Sequence, residues 1–535
     1  MKNTENSKEV KMYMQIGAKV LKDVKDTTKM VITVAKNTKV SEKLLGRLET
    51  LEDSVPEKAR IEFINYKHWC LNWFYTGKMG VTTPLPTIVK GAIKYTWIFD
   101  LTKANSMANR YVEGRSGANV EQVQKQLTFI VKSICDMVQY ALINPDKVVL
   151  TENMVPGEIL HAMGLHNIQP ELPGSILPKC DQFTGIRYLD AAENNGLPSD
   201  TCGLPRFTTG VALLNEVPQG KCILASNLPC DGGYASYETI QQSVGGVPIY
   251  RLNVPYDFRN DESIHIFVDD LKGMIKFLEE NTDGKMDWDK LRKICNNYNE
   301  IVECELERWE LAKLDNPPLT NDAIWFPHYW NFNVASGSDE CTNHYKKLLR
   351  LAQKAYKKGI PSFPNMKYRT VMWNPAPSGY GHMWNWLERC WGIGTVMDLE
   401  TYGAIQPIDT STPDTMLEGL GKRYMWATMS KHTRGPAKNM IEDLMIVIED
   451  YKPDFVIYPA HVGCKNSMAL ESTMREKCKE LDIPFCIFRY ELLDNRVNSR
   501  QSIRDQVSKF MTEVMHAEPL DSSLLSIDDN DIGKW

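Results

Sequence analysis

The stretch Cys222-Ile223-Leu224-Ala225-Ser226-Asn227-Leu228-Pro229-Cys230-Asp231-Gly232-Gly233 decides how this chain folds. Its first four residues predict a short, fully buried strand, and Ser-Asn-Leu-Pro ends it. A helix at Tyr237 to Ser243 and a further strand at Pro248-Ile249-Tyr250-Arg251-Leu252 come next. Upstream, Val148-Val149-Leu150 reads as another buried strand, and Gly157 to Met163 as a helix closed by Gly164. Short β-branched strands alternating with helices imply a parallel, doubly wound sheet.

The same alternation returns toward the C-terminus. Tyr368 to Trp373, Thr395 to Asp398, Phe455 to Tyr458 and Phe485 to Phe488 read as strands, with helices at about 381–390, 437–450, 466–480 and 501–515. Met440, Ile441, Leu444, Met445 and Ile448 share one helix face, as packing on a sheet requires. Between the two units, residues 263–314 read as two helices, Pro317-Pro318 breaks the pattern, and Asn343 to Lys357 is helical. The stretch through Pro173, Gly174 and Pro178 is rich in turn residues. From Lys8 to Ile143 the periodicity is helical, clearest over Val120 to Ile143. The expected fold is therefore α/β, with two doubly wound parallel-sheet domains and a mostly helical N-terminal region. Its parts are 1–145 (helical), 146–315 (first α/β domain), 316–365 (helical connection), 366–517 (second α/β domain) and 518–535 (a disordered acidic tail).

Composition narrows the function. A net charge of −6 without long basic runs argues against a nucleic-acid binder. No apolar run approaches the roughly 18 residues of a membrane span, and the start MKNTENSKEV lacks a signal peptide's apolar centre, so the expectation is a cytoplasmic protein without membrane partners. Thirteen cysteines are too sparse for a disulfide scaffold, and in a reducing cytosol they are thiols or metal ligands.

No P-loop, nucleophile elbow, H-E-x-x-H or C-x-x-C occurs in the sequence. The chain is therefore not expected to hydrolyse ATP itself. Cys70, Cys135, Cys295, Cys304 and Cys478 fall in helical pattern and Cys222 and Cys486 in strands, where cysteine is small core filler; Cys341 and Cys390 are ambiguous. Cys180, Cys202, Cys230 and Cys464 stand among turn residues. Cys230 and Cys464 each lie just past the carboxyl end of a predicted strand, where open α/β sheets bind ligands, and they belong to different units. A site built from both, with Cys202 entering from a loop, sits in the cleft between the domains. Sulfur-only ligation fits an iron-sulfur cluster or zinc, and the alternative is a set of unrelated turn cysteines.

Val155-Pro156-Gly157-Glu158-Ile159-Leu160-His161-Ala162-Met163-Gly164-Leu165 resembles the opening motif of the 2-hydroxyacyl-CoA dehydratase and benzoyl-CoA reductase family. Asp200-Thr201-Cys202, then Cys230, then His461-Val462-Gly463-Cys464-Lys465 follow in the family's order. Gly246 to Pro255 and Asp289 to Asn299 resemble two further family segments. The resemblance implies a 4Fe-4S cluster held by Cys202, Cys230 and Cys464, an acyl-CoA substrate, a dimer with a related or identical second subunit, and a separate ATP-hydrolysing iron-sulfur activator. The wording around Cys464 is most similar to the larger dehydratase subunit. The N-terminal extension, the Asp231-Gly232-Gly233 after Cys230 and Phe488-Arg489-Tyr490-Glu491 depart from the family pattern.

The reaction so implied is loss of water from an (R)-2-hydroxyacyl-CoA. Its β proton is not acidic until one electron converts the thioester carbonyl into a ketyl radical anion, which expels the 2-hydroxyl. Glu158, opening a helix near the cleft, is the expected proton handler or a helix-dipole glutamate, and His461 a donor to substrate or cluster sulfur. Lys465 and Arg206 are candidates for CoA phosphates, His161 reads as structural, and Met383, Trp384, Trp386 and Trp391 as core packing. The alternative activities are an ATP-dependent acyl-CoA reductase of the benzoyl-CoA type and an electron-transfer cluster subunit, the latter with Cys180 as fourth ligand.

Overall fold

The computed structural model describes residue 55 and residues 57–527, apart from 101–107, 109, 257–259, 334–336, 404 and 428. The helical pattern expected before residue 55 lies outside the described residues. Helices α1 (Glu57–Thr82) and α2 (Leu85–Lys94) precede the long α3 (Ala118–Ile143). Val120, Val123, Leu127, Ile130, Val131, Ile134 and Val138 of α3 recur at helical spacing and are all buried.

The first sheet is built from β1 (Val148–Thr151), α4 (Gly157–Ala162), β2 (His166–Ile168), α5 (Leu172–Cys180), α6 (Ile186–Asn194), α7 (Gly203–Leu213), β3 (Cys222–Ser226), α8 (Asp231–Ser243) and β4 (Ile249–Leu252). Its strands are all parallel, in the order β2-β1-β3-β4. Alternate side chains enter two different cores: Val148, Leu150, Ile223 and Ala225 on one face, Val149, Cys222 and Leu224 on the other. Both faces are thus covered, which is why these strands are continuously apolar.

Helices α9 (Asp261–Asn281), α10 (Trp288–Ala312), α11 (Asp322–Asn333) and α12 (Asp339–Lys358) lead to β5 (Tyr368–Met372) and β6 (Ile393–Asp398). Then come α13 (Pro413–Trp426), α14 (Ala437–Tyr451), β7 (Phe455–His461), α15 (Lys465–Glu480), β8 (Phe485–Tyr490) and α16 (Arg500–Glu513). The second sheet is parallel throughout, in the order β6-β5-β7-β8, and so repeats the winding of the first. In each sheet the chain changes direction at its first strand, and a crevice opens there at the carboxyl ends, between β1 and β3 and between β5 and β7.

The helical region is tied to the second sheet by a buried ion network. Arg115, just before α3, donates to both oxygens of Asp322 at 2.7 and 2.8 Å and to Glu388 Oε2 at 2.8 Å. Asn119 and Asn321 also donate to Glu388, at 2.7 and 3.0 Å.

Several expectations are corrected. The turn-rich stretch at 173–178 is helix α5: Pro173 lies in its first turn, where a missing N–H costs nothing, and Pro178 near its end. β2 was missed because two of its three residues, His166 and Asn167, are polar. α11 and α13 were missed as well. The helix expected at 381–390 is a short turn at Met383–Trp386 that widens into a π-helical turn, Leu387–Trp391. The tail is not disordered over 518–527: Leu524, Leu525 and Ile527 pack on the core, and Trp386 Nε1 donates to the Leu524 carbonyl at 2.9 Å. Among the described residues no helix is long and apolar enough to cross a membrane.

Candidate functional site: three thiols at helix N-termini

Each of the three cysteines singled out in the sequence occupies the N-cap of a helix: Cys202 before α7, Cys230 before α8 and Cys464 before α15. At an N-cap the backbone passes from extended to helical, and the residue stands at the positive end of the helix dipole. Cys230 Sγ accepts from the Gly233 N–H at 3.5 Å. A thiolate is favoured at such a position.

The loops that carry Cys202 and Cys464 lie beside different sheets and touch. A Cβ on Gly463 would lie 2.8 Å from Cys202 Cα, so glycine is what permits the approach. His461, the last residue of β7, hydrogen-bonds the thiols of both Cys202 and Cys464 and, through Nε2, Glu491 Oε1 at 3.1 Å. Burial alone would lower its pKa, but the Cys202 charge and these hydrogen bonds hold the imidazole well above its ordinary range. For Cys464, burial pushes the thiol up, yet the bond from His461 and the Ser467 and Asn466 N–H groups outweigh it and the net shift is downward. Cys230 is near enough to both Cys202 and Cys464 for their charges to act on it. It is touched by water but hemmed in by protein, which pushes its thiol up to about 12, with the Cys202, Cys464 and Glu152 charges adding.

Glu491, at the end of β8, knits the loops together. Oε1 accepts from Gly203 N at 2.6 Å as well as from His461, and Oε2 from Leu493 N and Asp494 N at 2.8 and 2.7 Å. Burial opposes its charge, but these donors prevail and hold the carboxyl at about 2. Cys202, His461 and Glu491 ligand atoms lie within 4.8 Å of one another. Because both Glu491 oxygens are engaged by backbone N–H groups, Glu491 orients the site rather than offering a free ligand atom. The donor set otherwise suits a sulfur-ligated, net-negative cluster: three thiols, three helix N-termini and an imidazolium.

Glu158, the second residue of α4, is fully buried, ion-paired with Arg423 of α13 and bonded by Tyr424 Oη at 3.0 Å. Arg206 is buried and paired with Glu193 and Asp494, which corrects its assignment to CoA phosphates. Lys465 is exposed and pairs with Asp200 at 2.8 Å, two residues before Cys202. Met383, Trp384, Trp386 and Trp391 are core residues, as expected. The side chain of Cys180 lies outside the described residues. His161 lines a cavity of about 510 Å³ at the amino-terminal edge of the first sheet, the edge opposite the cysteines. The sequence reading missed Glu491 as a site residue. It also missed a buried trio beside Cys230, in which Glu171 accepts from Tyr237 Oη at 2.8 Å and neighbours Glu152.

Fold and site together define a class: an α/β chain that gathers three free thiols and a charged imidazole at the carboxyl ends of two parallel sheets. Residues 152–513 match the family described as 2-hydroxyglutaryl-CoA dehydratase, D-component, and the chain belongs to that family. It is a family of dehydratases, lyases in general terms. The chain is also similar to (R)-2-hydroxyglutaryl-CoA dehydratase, subunit alpha, of Acidaminococcus fermentans, with 24% identity over 164 residues, 30% of this chain and 34% of that protein. The match thus spans about a third of that relative's length.

Proposed function

We propose that this chain is the cluster-bearing subunit of an (R)-2-hydroxyacyl-CoA dehydratase, with a 4Fe-4S cluster on Cys202, Cys230 and Cys464. The observation that supports the reading is the meeting of Cys202 and Cys464, from the two sheets, at the imidazole of His461, with Cys230 near enough to both for their charges to act on it. When bound, the cluster supplies a low-potential electron and a Lewis-acidic iron for ketyl radical chemistry on the thioester.

The chain's own residues do the rest. The imidazolium of His461 offsets thiolate charge and holds a proton at the substrate's edge of the site. Glu491 fixes that imidazole and the start of α7. Glu158, neutralised by Arg423, anchors the wall formed by α4 and α13. Lys465, exposed beside Asp200, is placed to meet the phosphates of an acyl-CoA. A related or identical second subunit completes the enzyme, and a separate ATP-hydrolysing iron-sulfur protein activates it, since this chain carries no P-loop. Free thiols and an oxygen-sensitive cluster belong in an anaerobic cytoplasm.

Anaerobic purification followed by iron and acid-labile sulfide analysis tests the ligand set. Cys202→Ala, Cys230→Ala and Cys464→Ala are each expected to lose iron; retention in all three overturns the reading. Product analysis with (R)-2-hydroxyglutaryl-CoA then separates an enoyl-CoA product from a reductase's.

A further inference from the structure

Glu400 presents a carboxyl with one oxygen left unengaged. Glu400 follows the carboxyl end of β6, and its Oε2 accepts from Ala376 N at 2.9 Å and from Trp325 Nε1 at 2.8 Å. Among the described residues Oε1 has no hydrogen-bond partner, and the residue is partly exposed. Ala376 belongs to the turn after β5, whose Pro375 carbonyl accepts from Tyr490 Oη. The Tyr490 ring lies 5.3 Å from that of His461, so one tyrosine separates Glu400 from the imidazole that joins Cys202 and Cys464.

Three other carboxyls near the thiols, those of Glu158, Glu171 and Glu491, have both oxygens engaged. Glu158 is paired with Arg423, and Glu491 has both oxygens bonded. Glu171 accepts from Asn153 N on one oxygen and Tyr237 Oη on the other, whereas Glu152, which accepts from Met154 N through Oε2, is buried beneath the site, unlike the partly exposed Glu400. The charged and titratable groups facing Glu400 are Asp398 from its own turn, Lys179 from α5, His328 from α11 and Tyr490 from β8. Burial pushes Glu400 up to about 7, Asp398 adds to this, and the Ala376 and Trp325 N–H groups and Lys179 draw it down. A group divided between its two forms near neutrality both gives and takes a proton readily.

Resting on the functional reading above, we propose that Glu400 is the acid and base of the dehydration, acting through Oε1 on the 2-hydroxyl and on C3 of the acyl chain. After one electron has entered the thioester, the C2–O bond breaks and the departing hydroxide takes the Oε1 proton, leaving as water. The Glu400 carboxylate then removes a proton from C3, which regenerates the carboxylic acid and gives the enoyl thioester one electron in excess. That electron returns to its source. Atoms and charge balance, with water and the enoyl-CoA as the only products.

The test compares wild type, Glu400→Gln and Glu400→Asp with (R)-2-hydroxyglutaryl-CoA as probe. In cluster-free protein, infrared difference spectra should show protonated-carboxyl absorption at pH 6 that fades toward pH 8, with a component that responds to the probe and is lost in Glu400→Gln while that of Glu171 remains. In loaded protein, Glu400→Gln should keep the iron and sulfide content of wild type and its Kd for the probe. Its turnover should fall by about 100-fold or more, with partial rescue in Glu400→Asp. The proposal is overturned if that component is missing or blind to the probe, or if Glu400→Gln turns over within threefold of wild type. A wild type without iron or turnover brings down the functional reading and this proposal with it; an active wild type with an active Glu400→Gln brings down this proposal alone.

Discussion

Replacing Glu491 by alanine probes what holds Cys202 against Cys464. The carboxylate accepts four hydrogen bonds, from Gly203 N, His461 Nε2, Leu493 N and Asp494 N, and it is 7% exposed. Hydrogen bonds to a charged group contribute about 1.5–3 kcal/mol each but are not additive, and truncation leaves buried donors open, so roughly 3–5 kcal/mol is at stake. Two of the four bonds reach the thiol loops directly. If only about 1.4 kcal/mol of the total appears as weaker cluster retention, iron leaves tenfold faster. The assay is the rate of iron transfer to an external chelator under anaerobic conditions, with far-UV circular dichroism confirming that the fold persists. Glu491→Gln, which keeps acceptor oxygen but no charge, should fall between wild type and Glu491→Ala. Iron loss from Glu491→Ala at the wild-type rate, in folded protein, refutes the idea that Glu491 positions the ligands.

Three further outcomes are expected. Arg115→Ala leaves Asp322 and Glu388 buried without their cation, which should destabilise by about 3–5 kcal/mol, whereas Lys465→Ala at an exposed pair should change stability by less than about 1 kcal/mol; thermal unfolding distinguishes them. Burial raises the Glu171 carboxyl from 4.5 to about 7, so its contribution to stability is complete below 4.5 and is lost as pH rises through 7; Glu171→Gln should therefore raise the denaturant midpoint at pH 8.5 and leave it little changed at pH 5. Truncation after Leu520 removes the carbonyl partners of Trp386, Gln501 and Arg504 together with Leu524, Leu525 and Ile527. It should cost about 2–4 kcal/mol in thermal unfolding while iron content stays unchanged.

The legible part of this molecule was the part governed by local rules. Strands buried on both faces must be apolar throughout, so 148–150, 222–225 and 455–458 declared themselves, and with them the carboxyl edge where ligands gather. Cys230 and Cys464 were readable because each follows such a strand directly. β2 was not, since an edge strand of three residues carries no periodicity. The order of Leu524, Leu525 and Ile527 was hidden by the Ser and Asp around them, because composition reports the average of a segment and packing depends on its few apolar contacts.

Glu491 marks the limit more sharply. In the sequence it ends Phe488-Arg489-Tyr490-Glu491 and looks only like a departure from the family's wording. Its role depends on Gly203, 288 residues away, and on His461 in the neighbouring strand, and neither relation leaves a trace in spacing. The cysteines carried a signal that does survive in sequence: each precedes a helix, with Gly203, Gly232 and Gly233, or Asn466 and Ser467 just inside it. Small or polar residues in a first turn leave the N–H groups open toward the capping side chain. Position at the head of a helix, which Cys202, Cys230 and Cys464 share, is thus the local feature that sets them apart from core cysteines such as Cys222 and Cys478.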